Sequence, residues 1–460
     1  MSRDAEHPLV TRYREFSPTS ARHAARAERV FPGGDTRSSA HYGPYPLSIA
    51  RAKGCRLTDV DGHELLDFMN NFTSLIHGHA HPGIVAAVQQ QAELGSAYAA
   101  PSLNQVELAE LIVDRVSSID LLRFCSSGTE GTTMAIRCAR AATGRQKIMK
   151  MEGGYHGSYE MAEVSLVPVP DARGDLSAPR SLAVDNSFPD SVLSDTLVCP
   201  YNEPELARRL IDAHAHELAA VIVEPMLGSM GMVPATGEFL QALRDATARH
   251  NIVLIFDEVI TLRLSAGGAQ AVHGVLPDLT CMGKIIGGGL PVGGIGGKRE
   301  LMELFSPTNP RPVMHASTFS GNALTMAAGL VAMREYTPAE VARVNALGER
   351  LRSGFNQVFE QAGIRGQAIG QGSLTNLHFT DQAIHDSRDS MAGMMAAGHV
   401  SRLLHLTMTR HRVMSAARLM YCVSTAMGEA EVDEAITALN DSLVEMRPFI
   451  ERERPGLLVS

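Results

Sequence analysis

The sequence predicts an α/β protein: a large domain on a mainly parallel sheet, plus a smaller α+β domain assembled from both ends of the chain. Three observations carry this. From about residue 82, helical patterns alternate with short apolar runs, the pattern of βαβ units. After about 335 the texture shifts to a long helical stretch, a Gly-rich turn and further strand–helix alternation. The chain's 460 residues also leave room for one large and one smaller domain. The boundaries read as 1–80 for an N-terminal segment that joins the small domain, 81–335 for the large domain and 336–460 for the C-terminal small domain.

Taken in order, residues from about 16 to 35 read as a helix ending at Pro32-Gly33-Gly34. A strand pair follows in PLSIARAKGCRLTDVDGHELLDF, with its turn at Asp61-Gly62. Helices are expected over 104–117 and 129–143, the second closed by Gly144. Strands are expected at LLRFC (121–125), KIMKM (147–151), AAVIVE (219–224) and IVLIFDEV (252–259). The stretch from about 163 to 199, rich in Pro, Ser and Asp, reads as a lid or surface excursion. A helix over 338–363 and the strand LTNLHF belong to the last domain.

Composition narrows the function. Hydrophobic content of 45% with 20% charged residues is that of a soluble globular chain. A net charge of −9 argues against nucleic acid, which wants clustered Lys and Arg. No apolar run is long enough for a membrane span. The polar N-terminus lacks the apolar core of a signal peptide, which predicts a cytoplasmic protein. Six scattered cysteines without CxxC spacing read as buried, reduced thiols, neither a disulfide framework nor a zinc site.

The chemistry is concentrated at strand ends. IVLIF runs into Asp257, placing an acid at the sheet's C-terminal rim, where open α/β sheets bind ligands. Lys284 follows among Gly283 and Gly287–Gly289, with little side-chain bulk around its amine. An amine able to form a Schiff base and an acid able to hold a pyridinium nitrogen protonated are what a pyridoxal phosphate site needs. Ser127, Gly128 and Thr129 open a helix directly after a strand, a place where free amides favour an anion. Tyr155, in GGYHG, is an aromatic at a strand end that can stack on a planar ring; His156 organises the loop behind it. Glu224 puts a second acid at a strand end. The Gly-rich run GGGLPVGGIGG does not open a helix after a strand, so it is no dinucleotide fingerprint. His77, His79 and His81 have no acid cluster beside them, and no metal is expected.

SSGTE, GGYHG, VEP, DEV and GK with its Gly-rich continuation, in this order and with HASTFSGNALTMAAG, resemble a class III, fold-type I aminotransferase over about residues 20 to 440. PGGDTRSS and FSGN resemble the glutamate-1-semialdehyde aminomutase-like branch, within which the pattern is most similar to the β-amino-acid (β-phenylalanine) aminotransferases. The resemblance implies that Lys284 carries pyridoxal 5′-phosphate and later shuttles a proton, and that Asp257 pairs with the pyridine nitrogen. It implies that Tyr155 and Val259 pack the two ring faces, with His156 and Glu224 beside them. Ser127, Gly128 and Thr129 would bind the phosphate, joined by the partner subunit's Thr318, so a homodimer with shared active sites is expected.

A carboxylate substrate calls for arginine. Arg37 in the N-terminal segment and Arg418 on the loop before the last strand resemble the pair that serves carboxylates in β-amino-acid aminotransferases, and Phe72 is a candidate pocket wall. Leu262-Arg263-Leu264 stands where aminomutases usually read GFR, and no acid lies next to Arg418. The expected activity is therefore transfer of an amino group from a 3-amino-3-arylpropanoate-like β-amino acid to an oxo acid such as 2-oxoglutarate or pyruvate, by a ping-pong mechanism. Two alternatives stand beside it: a glutamate-1-semialdehyde 2,1-aminomutase-like isomerase, for which 163–199 would be the gate, and a non-catalytic pyridoxal phosphate-binding protein.

Overall fold

The structure, a computed structural model, describes residues 7–459. The chain folds into two compact units. Among the described residues, one comprises those up to His81, Arg343–Gln382 and those from Ala392 onward; the other comprises Pro82–Ala342 with Ala383–Met391.

The larger unit is organised by a seven-stranded sheet in the order Leu121–Cys125, Gly293–Gly297, Leu279–Gly283, Val253–Asp257, Leu218–Val223, Lys147–Met151, Thr196–Cys199. All neighbours pair in parallel except Gly293–Gly297, which runs antiparallel to both of its partners. The four strands expected from apolar runs are present within a residue or two. Three others were hidden: Thr196–Cys199 ends the polar excursion, Leu279–Gly283 leads to Lys284, and Gly293–Gly297 lies inside the Gly-rich run. GGIGG has no strand propensity to read. Its glycines are there for clearance: a Cβ on Gly293 would lie 1.8 Å from the Ser127 carbonyl oxygen, and one on Gly131 would lie 2.9 Å from that of Gly294. The Gly128–Thr143 helix therefore rests closely on a strand whose one side chain is that of Ile295.

That helix packs Ala135, Ile136, Cys138 and Ala139 onto Ile148, Ala220, Ile222, Ile255, Leu279 and Ile295, all buried. Each fully buried aliphatic side chain of this kind stabilises by roughly 1.5–3 kcal/mol. Gly144, at φ 69, closes the helix in the left-handed conformation.

The smaller unit corrects two expectations. The single helix over 16–35 is two helices, Pro8–Phe16 and Pro18–Ala27, with a 3₁₀ turn at Pro32–Gly34. Pro18 pushes Ser17 out of the helical region, to φ −129 and ψ 53, and starts a new helix where its missing N–H is not needed. The strand pair is a three-stranded meander, Ile49–Lys53, Arg56–Asp59 and Glu64–Asp67, because Gly54 at φ 58 adds a turn before the one at Gly62. All six cysteines are buried and none is in a disulfide. Among the described residues no helix is long and apolar enough to cross a membrane.

Candidate active site

Most of the predicted residues of the larger unit converge on the C-terminal rim of its sheet. Val253–Asp257 is buried along its whole length between two parallel neighbours, so Asp257 is carried to the rim at 5% exposure. Its Oδ2 lies 2.9 Å from His156 Nδ1, and its Oδ1 accepts the Val259 amide at 3.1 Å. Burial lowers the pKa of His156, outweighing the pull of Asp257, so the ring is neutral and Nδ1–H is the donor. His156 Nε2 is left buried with no hydrogen-bond partner among the described residues.

One strand over, Glu224 accepts the Tyr155 amide at 2.7 Å and the Gly228 amide at 3.1 Å. Burial, with Asp257 nearby, pushes its pKa up to about 8, against the opposing charge of Lys284. Glu224 thus holds its proton near neutrality. Lys284 leaves Leu279–Gly283 at φ 50, a left-handed conformation unusual for a lysine, and is half-buried. Val259 is wedged between two glycines: a Cβ on Gly128 would meet its Cγ2 at 3.1 Å, and one on Gly283 its Cγ1 at 3.4 Å.

Ser127 caps the Gly128–Thr143 helix by accepting the Glu130 amide at 3.2 Å. The amides of Gly128 and Thr129 stand in the first turn, where the helix supplies no acceptor. Gly157, at φ 114, lets the loop after Tyr155 close on Thr129; a Cβ there would come within 2.6 Å of Thr129 Oγ1. Tyr155 is 37% exposed, its hydroxyl 3.2 Å from Ser158 Oγ.

Thr318 is exposed and stands apart, on the wall of a cavity of about 960 Å³ that also includes Gln105, Glu110, Arg123 and Ser317. Within the smaller unit, Arg37, Phe72 and Arg418 come together. The guanidinium carbons of Arg37 and Arg418 lie 5.9 and 5.6 Å from the centroid of the Phe72 ring, and Arg37 Nη1 donates to Asn71 Oδ1 at 2.9 Å. His77 and His79 are engaged by Thr425 at 2.8 Å and Asp67 at 2.7 Å.

Sequence reading missed Lys150 and Glu152, both fully buried around the end of the Lys147–Met151 strand. Lys150 Nζ donates to the Val164 carbonyl at 2.6 Å, and burial brings its pKa down to about 7 against the opposing pull of Glu224, Glu152 and Glu163. The signal was available: KIMKM puts a cation mid-strand in an apolar run.

These residues fit a protonated pyridine with a phosphate arm. A buried carboxylate faces a neutral imidazole and one amide, and so has capacity for a further N–H; the phosphate's cradle of amides opens beside it; the amine stands on the neighbouring strand. The chain matches the family Aminotransferase class-III over residues 38–439 and belongs to that family. It uses pyridoxal 5′-phosphate and is a catalytically active fold-type I enzyme, related both to aminotransferases and to glutamate-1-semialdehyde aminomutases. A curated relative, glutamate-1-semialdehyde 2,1-aminomutase of Methanopyrus kandleri, is 38% identical over 439 residues, 94% of this chain and 98% of the relative. The crystal structure of an omega-transaminase from Sphaerobacter thermophilus is 43% identical, with 97% of this chain and 100% of that one covered at a TM-score of 0.90. A β-phenylalanine aminotransferase from Variovorax paradoxus is 34% identical over 96% of this chain and 97% of its own, at a TM-score of 0.86.

Proposed function

We propose that the enzyme moves the amino group of a small carboxylate-bearing amine through Lys284, and that its reaction is the internal shift of a glutamate-1-semialdehyde 2,1-aminomutase-like isomerase. The sequence alone ranks transfer from a β-amino acid first; the curated relatives, at 38–41% identity, favour the isomerase. The observation that carries this reading is the segment after residue 163. It is hung from the active-site rim by the bond from the Gly153 amide to the Ser165 carbonyl, 2.9 Å, two residues before Tyr155. An internal shift needs such a cover, because the diamine formed half-way must stay enclosed until its second nitrogen reacts.

When bound, pyridoxal phosphate supplies an electron-poor ring that accepts the electron pair of a breaking C–H bond. Lys284 Nζ would hold the cofactor, and its amine would carry the proton between carbons. Asp257 holds the proton on the ring nitrogen, with His156 orienting the carboxylate. Tyr155 and Val259 flank the ring, Glu224 fixes the Tyr155 loop through its amide, and Ser127, Gly128 and Thr129 receive the phosphate. Arg37, stacked on Phe72, receives the substrate carboxylate. A homodimer completes each site through the partner subunit's Thr318. The exposed Leu103, Val106, Met314 and Phe319, on the same stretches that line the cavity beside Thr318, support that assembly.

The test is turnover of the semialdehyde by purified enzyme with no oxo acid added. Conversion supports the isomerase. An absolute requirement for 2-oxoglutarate or pyruvate, with β-amino acids as donors, overturns it in favour of the second reading, an aminotransferase of β-amino acids. That reading is favoured by the two guanidiniums on one aromatic ring, which can serve both the carboxylate of a donor and those of an acceptor.

A further inference from the structure

Residues 165–182 form a loop closed at its own neck. The Ser165 amide donates to the Leu182 carbonyl at 2.8 Å, the Leu182 amide donates back to Ser165 Oγ at 3.0 Å, and that hydroxyl donates to the Arg180 carbonyl at 3.1 Å. Ser165 is buried and sits at φ 51. A compact loop with adjoining ends is an Ω-loop, held by its own contacts and by whatever grips its far side. The near side is gripped twice at the rim, through Gly153 and through Lys150, whose Nζ donates to the Val164 carbonyl.

The far side is gripped by Arg388. Its Nε and Nη2 donate to the two oxygens of Glu152 at 2.6 and 3.0 Å, and its Nη1 donates to the Gly174 carbonyl at 3.2 Å, in the middle of the loop. Glu152 is 1% exposed and Arg388 11% at the side chain, so the fork is a buried, charge-assisted contact and not a surface pair. Ala383–Met391 is a short visit of the C-terminal chain to the larger unit, and in it Arg388 touches both Glu152, at the end of the Lys147–Met151 strand, and the loop. Gly174 at φ 74 exposes its carbonyl at a turn, where a Cβ would strike the Ala178 carbonyl at 2.6 Å. Glu152 is followed directly by Gly153, so one carboxylate fixes both the clasp and the backbone that presents Tyr155.

We propose that Arg388 is a positioning and specificity-determining residue: its fork on Glu152 clasps the 165–182 loop shut over the rim, and the clasp decides whether the amine stays enclosed for an internal shift or leaves for an external acceptor. The second half of this inference rests on the isomerase reading; the first half does not. Arg388 touches no reacting atom and acts through the loop.

The experiment uses holoenzyme and compares wild type with Arg388→Lys and Arg388→Ala. Lysine keeps a cation beside Glu152 but loses the fork and the reach to Gly174, which guards against the alanine variant failing to fold. Hydrogen exchange in peptides from 165–182 is expected to rise about tenfold in both variants while the Gly128–Thr143 helix stays protected, as a local opening requires. Diamine released per turnover is expected to rise about tenfold, with KM for the semialdehyde moving more than kcat. Unchanged exchange in the loop overturns the clasp. Faster exchange with unchanged release overturns the specificity role. If wild type converts no semialdehyde without an oxo acid, the isomerase reading has failed, and the exchange result still decides the clasp.

Discussion

Lys284, Asp257 and Glu224 stand where buried strands stop, whereas Arg37, Phe72 and Arg418 stand on turns between short elements. In the first region every position is imposed by three strands buried along their whole length, Leu218–Val223, Val253–Asp257 and Leu279–Gly283. In the second, Asn70, Asn71, Phe72 and Thr73 form a left-handed turn with φ of 46, 46, 55 and 74, each costing roughly 1–2 kcal/mol for a residue with a Cβ. That turn survives because its surroundings over-determine it. Asp67 Oδ1 takes the amides of Met69 and Asn70 at 2.8 and 3.0 Å, His79 holds the other oxygen, and Asn70 Nδ2 reaches the Cys422 carbonyl at 2.8 Å. The lesson is a division of labour: shared chemistry is put on strand tips that cannot move, and substrate choice on turns whose side chains can be exchanged.

If that division holds, lesions at the strand tips should abolish chemistry whatever the substrate. Lys284→Ala is the extreme case: turnover should fall by roughly 10⁴ or more, since both the covalent anchor and the proton carrier are removed. Borohydride treatment followed by peptide mapping should label wild type at residue 284 and leave the variant unlabelled. A label on another lysine would break the comparison at its root.

Asp257→Asn comes next. Asparagine preserves the shape and can still meet His156 and the Val259 amide, but it cannot hold a proton on a ring nitrogen. We expect kcat to fall by about 10²–10³, the size of losing one preorganised electrostatic partner, with little change in KM. Single-turnover absorbance with an amine donor separates this from a binding defect.

The turn region should behave in the opposite way. Arg37→Ala should raise KM for carboxylate substrates by roughly 10–100-fold, the worth of a charge-assisted contact, and leave the half-reaction with a simple alkyl amine almost unaltered. Equal losses on both kinds of substrate would mean that the arginine supports the fold and not the substrate.

The same contrast explains what could be read in advance. The strand ends were legible because LLRFC, KIMKM, AAVIVE and IVLIFDEV are apolar runs stopped by functional residues, and burial forces such runs into a sheet. Gly293–Gly297 was illegible because its purpose is an absence: the glycines leave room for the Ser127 carbonyl, and clearance has no periodicity. The extra turn at Gly54 and the break at Ser17–Pro18 are single-residue backbone effects that a reading of hydrophobic stretches passes over. Arg37 and Arg418 were found through family resemblance, and nothing in the local pattern said they would meet on Phe72. The partner of Glu152 is 236 residues away in the chain, beyond any local signal.

Lys150 sharpens the comparison through pH. Its pKa is brought down to about 7 by burial, from an ordinary 10.5. Between these values the unfolded chain binds the proton and the folded chain does not, so stability rises with pH across that window and is lost as pH falls through 7. Wild type should gain roughly 1 kcal/mol per pH unit from this group between pH 7 and 9, and Lys150→Met should lack that slope. Urea unfolding at three pH values checks it. Parallel profiles for the two proteins would mean the amine stays charged beside its acids.

The smallest effect expected is at Phe72, and it is the most discriminating for the turn region. Each guanidinium resting on the ring gains about 0.5–1 kcal/mol from the aromatic face. Phe72→Leu keeps an apolar side chain of similar reach in the same left-handed backbone, so the cost of φ 55 is unchanged and only the ring's face is lost. KM for a monocarboxylate should rise about threefold, with Phe72→Tyr close to wild type, because tyrosine keeps the aromatic face. Arg37 retains Asn71 in every variant, so the arginine is loosened and not released. If leucine and tyrosine behave alike, the ring is only a filler, the arginines are aimed by their loops, and substrate choice in the smaller unit is as fixed by backbone as the chemistry is in the larger one.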